Sequence, residues 1–468
     1  MTLEFLLDAP VKDPAEEVVR VLHGEPEWEP AAGGMRIVRA TEAPRALVAV
    51  VGLGHAGLPS AIALRRAGFR ILGIDTSSSR LNAIRSGRVE VCGADRQELQ
   101  AGLREEQLVL TGSMEAVHAA DAVLICVPST LDAQRRPNTD TLSRTCEAVV
   151  RNARAGHTLV LTSISHVGST RELLVEPLAQ RGLRAGEDVF VAFSPERGDP
   201  GVAEHDQPRV PRVVGAASEA CYVHAAQLLR HISHSLHRVS SPEAAEMAKL
   251  YESTFRAVNI ALAFEMADAC ASRQLDPVEV TEAAATKPFG FMAHYPSAGV
   301  GGHGVRVDPQ CLLHQLRERG RPALFAEEAM RVLAARPRRV AMRAHDLLLR
   351  SGKRMRDARV LVVGVAYKPG VADCSQSPSV EIISCLLAEG IHVDYHDPLV
   401  PSLTIDGEEL CGIDPDPRRD ASGFGPEDYA LAILVTIHPQ HDYGWLARCP
   451  AVLDCTYRTP AGRLRFVP

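Results

Sequence analysis

Lysine is scarce in this chain. Only Lys12, Lys249, Lys287, Lys353 and Lys368 are lysines, so 46 of the 51 basic residues are arginine. Where arginine is used this heavily, a lysine marks a position that asks for a compact ammonium, although chance survival on a solvated surface explains any single one equally well. An excess of positive charge is also missing. The 58 acidic residues leave a formal net charge of −7, which gives no electrostatic reason for a nucleic acid or an anionic membrane as partner. An anionic substrate must then find a locally basic pocket. The 11 cysteines are scattered without a CxxC pair, which argues against a zinc site or a disulfide frame and for a reducing compartment. No apolar run approaches the roughly 20 residues that span a bilayer. The stretch from Met1 to Pro30 carries acid where a signal peptide would be basic and then apolar. Together these absences predict a cytoplasmic protein with no metal.

What is present is ordinary for a globular chain: 468 residues, 46% apolar and 23% charged, enough for two or three domains and a large core. Residues 1–45 mix proline, glutamate and glycine with weak periodicity and read as an N-terminal extension. From 46 to about 240, β-rich runs at 47–51, 70–74, 122–127, 158–162, 189–193 and 212–214 alternate with helical patterns. That alternation predicts a parallel sheet with helices on both faces. Strand signals then stop until about 350. Ser241-Pro242-Glu243 has a capping residue, a proline at the first helical position and acid in the first turn. Met247, Leu250, Phe255, Val258, Leu262 and Met266 follow at helical spacing, predicting one long helix to about Arg273. A second αβ unit opens at Val360-Leu361-Val362-Val363-Gly364, runs through a helix near 380–389 and reaches a strand that ends in Asp397. Apolar runs at 431–436 and 451–453 extend its sheet. The expected class is α/β, with two Rossmann-like doubly wound parallel-sheet domains (46–240 and 351–468) joined by a long central helix within 241–350.

Gly52-Leu53-Gly54-His55-Ala56-Gly57 follows the first strand directly and opens a helix, and the next strand ends in Asp75. A bare GxGxxG is weak evidence; strand, glycines, helix, strand and acid in this order are specific. Gly52 permits the tight turn, Gly54 admits a pyrophosphate, Gly57 lets helix pack on strand, and the helix N-terminus offers amides to the diphosphate. Asp75 can accept both ribose hydroxyls and repel a 2′-phosphate, selecting NAD over NADP, with Arg80 softening the preference.

Further segments resemble the UDP-glucose/GDP-mannose dehydrogenase family, especially its UDP-N-acetylhexosamine branch. They are Ile125-Cys126-Val127-Pro128, Phe193-Ser194-Pro195-Glu196-Arg197, Ala245-Glu246-Met247-Ala248-Lys249-Leu250, residues 254–262, residues 287–309, Gly364-Val365-Ala366-Tyr367-Lys368 and Tyr395-His396-Asp397-Pro398. The resemblance runs in one order over about residues 46–458. It implies an NAD-binding domain at 46–240, a central dimerisation domain at 241–350 and a UDP-binding domain at 351–468. It also implies a UDP-sugar substrate in the cleft and a homodimer through the central helix. In the family, C6 of a hexose is oxidised from alcohol through aldehyde to carboxylate while two NAD are reduced. On matching positions, Val127 and Pro128 join the cofactor site. Lys249 and Asp308 serve proton removal and alkoxide stabilisation. Glu196 and Ser165 lie near the water of the last step, and Arg256, Asn259, Tyr295, Gly301, Gly302, His303 and Lys368 contact substrate. The bland alternatives are an Asp308 that caps a helix after Pro309, a Glu196 in a solvated ion pair and a Lys368 solvated on a loop.

The chain departs from its resemblance where the chemistry is most demanding. Gly304 stands where the family has the cysteine that captures the aldehyde, and nothing near in sequence replaces the sulfur. Cys311 falls in the next helix as a small buried residue. Ser253 replaces an asparagine, and Thr162 and Ser375 replace a glutamate and an arginine. An aldehyde has no hydride to give until an addition makes C6 tetrahedral. The expectation is therefore an NAD-dependent dehydrogenase of a UDP-hexose or UDP-N-acetylhexosamine whose second oxidation is impaired or diverted. The alternatives are a redox-neutral epimerase or isomerase and a catalytically dead nucleotide-sugar-binding scaffold.

Overall fold

The computed structural model describes residues 46–89, 91, 93–132, 134–199, 207–352, 354–415, 425–458 and 465–467. The extension at 1–45, together with Lys12, Cys92 and Lys353, lies outside them. Eight strands form the first sheet: β1 (Leu47–Val51), β2 (Arg70–Ile74), β3 (Leu108–Thr111), β4 (Ala122–Ile125), β5 (Thr158–Leu161), β6 (Phe190–Phe193), β7 (Arg212–Ala216) and β8 (Leu236–Val239), in the order β8-β7-β6-β5-β4-β1-β2-β3. Side chains of β1 alternate between two cores. Val48 and Val50 join Leu58 and Ile62 on one face, while Ala49 and Val51 join Leu142 and Val149 on the other. A strand buried on both faces reads as a continuous apolar run, which is why β1 was legible.

The expected parallel sheet is present, with one antiparallel pairing toward an edge. β7 pairs antiparallel to β6, and β8 runs parallel to β7. A parallel partner needs a crossover, usually helical, that carries the chain back across the sheet. No helix is found among the described residues between β6 and β7, and β7 starts from the end where β6 finished.

The three longest helices of the middle are α2 (Pro242–Ala271), α3 (His303–Glu318) and α4 (Leu324–Arg350), numbered after α1 (Gly57–Arg66) of the first sheet. Ser241 caps α2 by accepting from the Ala244 amide, with Pro242 at the first position. Ala257, Ala261 and Phe264 of α2 pack against Met330 and Leu333 of α4. Of the apolar positions that predicted α2, Leu250 is buried while Met247, Phe255, Leu262 and Met266 are exposed. The periodicity was right about the helix, but most of the stripe faces outward. α3 starts before Pro309, with Gly302 as its N-cap residue at φ 73°. Asp308 therefore lies inside the helix and caps nothing.

The second sheet is parallel throughout: β9 (Arg359–Val363), β10 (His392–His396), β11 (Leu431–Leu434), β12 (Val452–Asp454) and β13 (Arg465–Phe466), ordered β10-β9-β11-β12-β13. Both sheets use one local device where the first strand ends. Gly52 (φ 88°) follows β1 and Gly364 (φ 83°) follows β9, and a Cβ on either would meet backbone, the Cys126 carbonyl oxygen at 2.7 Å or that of Thr436 at 2.1 Å. Only glycine fits both the torsion and the space. No helix among the described residues is long and apolar enough to cross a membrane.

Candidate active site

The glycine-rich loop has the room a dinucleotide needs. A Cβ on Gly54 would meet nothing within 4 Å, whereas one on Gly57 would strike the Gly52 carbonyl oxygen at 1.8 Å and one on Gly52 would come 3.0 Å from the Val127 amide nitrogen. Gly54 is thus open for close approach, and the other two hold α1 and the β4 end tightly against the turn. Pro128 follows Val127 at an exposed position. Asp75 accepts from the Leu53 amide (3.0 Å) and the Ser77 amide (2.9 Å), and Arg80 Nε donates to the Leu53 carbonyl at 2.9 Å. These bonds fix the loop and leave carboxylate lone pairs beside it, so the residues present fit NAD.

A second group gathers between α2 and α3. Lys249, Ser253 and Arg256 are spaced by four and three residues and share one face of α2. Ser253 Oγ donates to Asp308 Oδ2 at 2.7 Å, and Lys249 Nζ lies 4.0 Å from the same oxygen. Asp308 is 3% exposed and Ser253 6%. Burial raises the Asp308 carboxyl above its ordinary value, with the Lys249 charge and the Ser253 hydrogen bond working against it. Gly304, one turn before Asp308, opens onto this pair. A Cβ there would lie 3.8 Å from Asp308 Oδ2 and 4.0 Å from Ser253 Oγ, with nothing nearer. The site is a buried carboxylate between a cation and a hydroxyl, facing space for a side chain that is absent. Arg256 is exposed on the same face. Cys311 is buried, and burial pushes its thiol up to about 12, so it is an inert core residue.

Most of the other expected site residues have partners of their own. Glu196 is fully engaged: it accepts from Gln207 Nε2 (2.5 Å), the Arg197 amide (3.0 Å) and the Gly198 amide (2.7 Å), and pairs with buried Arg212 at 3.3 Å. Its carboxylate anchors the loop after β6. Ser165 contacts His166 Nδ1 at 3.1 Å and lines a cavity of about 690 Å³ with Cys311, one turn beyond Asp308. Thr162 is spent on the Ile125 carbonyl at 2.8 Å. Asn259 Nδ2 donates to Phe255 of its own helix at 2.8 Å. Tyr295 is exposed, and the side chain of His303 lies outside the described residues. Gly301 and Gly302 serve packing: a Cβ on Gly301 would come 2.5 Å from Tyr367 Cβ, and one on Gly302 would come 3.1 Å from its ring. Lys368 Nζ lies 2.5 Å from Asp199 Oδ1, so it ties the second sheet's loop to the first.

Three positioning contacts escaped the sequence reading. His55, inside the glycine-rich loop, pairs with Asp373 of the second half at 3.0 Å. Asp397 accepts from the Val365 and Ala366 amides (2.8 and 2.9 Å) and lies 3.1 Å from His438 Nε2, holding the loop after Gly364. Fully buried Glu246 accepts from the Gly168 and Thr170 amides (2.6 and 2.8 Å) and from both side-chain hydroxyls at 169 and 170. Only the strand-terminal place of Asp397, which repeats that of Asp75, gave a signal.

Comparison with known proteins agrees with this geometry. The chain matches the UDP-glucose/GDP-mannose dehydrogenase family over its NAD binding domain (residues 46–233), central domain (243–333) and UDP binding domain (361–455). It is 30% identical over 355 residues to the UDP-N-acetyl-D-glucosamine 6-dehydrogenase of Pseudomonas aeruginosa, covering 75% of this chain and 83% of that one. It is 31% identical over 356 residues to the UDP-N-acetyl-D-mannosamine dehydrogenase of Pyrococcus horikoshii, covering 75% and 84%. The solved structure of the UDP-D-ManNAc dehydrogenase from Pyrococcus horikoshii superposes with a TM-score of 0.78 at 26% identity, over 90% of this chain and 98% of that one. The chain belongs to the UDP-glucose/GDP-mannose dehydrogenase family and carries its NAD binding, central and UDP binding domains in that order.

Proposed function

We propose that this chain is an NAD-dependent dehydrogenase that oxidises C6 of a UDP-hexose or UDP-N-acetylhexosamine, with the second oxidation diverted from the thiol route. The observation that carries this reading is the buried cluster of Lys249, Asp308 and Ser253 facing the gap at Gly304. NAD, when bound at the glycine-rich loop, supplies the hydride acceptor. The chain's own groups manage the proton and the charge. An alcohol at C6 placed in the gap can pass its proton directly to Asp308, while the Lys249 ammonium stabilises the developing alkoxide. A low local dielectric strengthens both effects. Arg256, exposed on the face of α2 that carries Lys249, offers a cation to a UDP diphosphate, and Lys368 would add a second by exchanging Asp199 for the phosphate. The outward stripe of Met247, Tyr251, Phe255, Leu262 and Met266 on α2 is the face we assign to a homodimer.

The test incubates purified protein with NAD and UDP-glucose, UDP-N-acetylglucosamine or UDP-N-acetylmannosamine, follows NADH absorbance and weighs the sugar product. NADH with an aldehyde or acid is the expected result. A rearranged sugar of unchanged mass without NADH would point to an isomerase, and binding without reaction would point to a scaffold.

A further inference from the structure

We propose that Ser253 is the nucleophile of the second oxidation, its hydroxyl acting from α2 in the space that a side chain at Gly304 would fill from α3. This rests on the dehydrogenase reading and adds a catalytic residue to it.

The hydroxyl's direction is the first support. Serine, threonine and asparagine inside helices commonly bond back to a carbonyl one turn earlier, and three neighbours on α2 or at its end do so. Thr254 bonds Leu250 at 2.7 Å, Asn259 bonds Phe255 at 2.8 Å and Ser272 bonds Ala269 at 2.6 Å. Ser253 instead crosses to Asp308 at 2.7 Å. A free serine hydroxyl is a weak nucleophile and needs an adjacent base held in hydrogen-bond contact. Asp308 is that base, and Lys249 at 4.0 Å from the same carboxylate oxygen supplies the cation for the oxygen charge that follows.

The gap is the second support. A Cβ at 304 would sit 4.0 Å from Ser253 Oγ and 3.8 Å from Asp308 Oδ2. A thiol there would extend roughly 1.8 Å further, a single carbon–sulfur bond, so sulfur and serine oxygen would serve overlapping volumes. Removing the side chain at 304 leaves the aldehyde carbon room to settle against Ser253 Oγ.

The chemistry balances. Oγ adds to the aldehyde carbon as its proton passes to Asp308, and the carbonyl oxygen takes a proton from solvent water to give a hemiacetal. Hydride leaves C6 for NAD⁺, which becomes NADH, while the hemiacetal hydroxyl releases its proton and a serine ester forms. Water then adds to the ester, the C6–Oγ bond breaks, Asp308 returns the proton to Oγ, and the carboxylate departs. The sum is aldehyde, NAD⁺ and water to acid, NADH and protons. An oxygen ester hydrolyses more slowly than a thioester, so the ester should accumulate.

The experiment mixes the full chain with excess NAD and UDP-N-acetylglucosamine or UDP-N-acetylmannosamine, quenches in acid and weighs the peptide containing Ser253. Expected are a uronyl adduct on that peptide, and a fall from about two NADH per sugar to about one in Ser253→Ala, with aldehyde as product. Ser253→Cys should regain the second NADH, which separates loss of the nucleophile from loss of fold. Acid made by Ser253→Ala, acid from the wild type without an adduct, or a wild type that stops at the aldehyde would each overturn the role of Ser253 while leaving the first oxidation standing. A wild type that forms no NADH with any nucleotide sugar would remove the dehydrogenase reading itself, and this proposal with it.

Discussion

At the scale of single residues, Asp308 and Gly304 carry the sharpest consequences. The folded Asp308 carboxyl titrates above its ordinary value because it is buried. A carboxyl raised in the folded state contributes full stability at low pH and loses it as pH climbs from the ordinary carboxylate range through the raised value. Asp308→Asn should therefore be more stable than wild type at neutral pH, by about 1 kcal/mol, with the difference shrinking toward pH 4. Urea titrations at both pH values check this. Gly304 predicts a contrast with Gly52. Gly304→Ala meets no atom within 3.8 Å in a helical turn and should stabilise by about 0.5 kcal/mol. Gly52→Ala, at φ 88° and 2.7 Å from a carbonyl oxygen, should cost about 2 kcal/mol or more and weaken NAD binding. Gly304→Cys should speed the release of carboxylate at least about tenfold, a modest barrier change, measured by timed mass spectrometry of the product.

At the scale of elements, Glu246 joins α2 to the loop after β5. Its carboxylate holds four donors at 168–170. Glu246→Ala leaves them buried and unpaired, so it should cost about 3 kcal/mol in denaturant unfolding and loosen the turn of α2 that carries Lys249. Legibility follows the same physics. Strands buried on both faces announce themselves as apolar runs, and so β1, β4, β5, β6, β9 and β11 could be read. β8, with the sequence Leu-His-Arg-Val at a sheet edge, could not. The reversed direction of β7 was invisible because direction depends on where a connection leaves the sheet. Lys249 and Asp308 stood out through their local motifs. The Ser253–Asp308, His55–Asp373 and Glu246 contacts join positions far apart in sequence and carry no local pattern. The partners of Glu196, Arg212 and Gln207, were invisible for the same reason, and they decide where its carboxylate points.

At the scale of the whole molecule, two sheets meet across the helical middle through a few charged and glycine contacts. His55 to Asp373, Lys368 to Asp199, and Gly301 and Gly302 against Tyr367 are the seams beside the cleft. The outward face of α2 leaves Tyr251 66% exposed and Leu262 50%, and it is the face assigned above to a homodimer. Sedimentation should find a dimer for the wild type and a monomer for the double variant Tyr251→Glu, Leu262→Glu. The central claim is that a nucleotide-sugar alcohol is oxidised at the Lys249–Asp308 pair although no thiol stands at position 304. The most direct measurement is NADH formation with UDP-N-acetylglucosamine and UDP-N-acetylmannosamine by the wild type and by Asp308→Asn. NADH in proportion to sugar consumed, slowed at least about 100-fold in the variant, is the predicted result; sugar bound by the wild type without any NADH, or an equal rate in the variant, would contradict it.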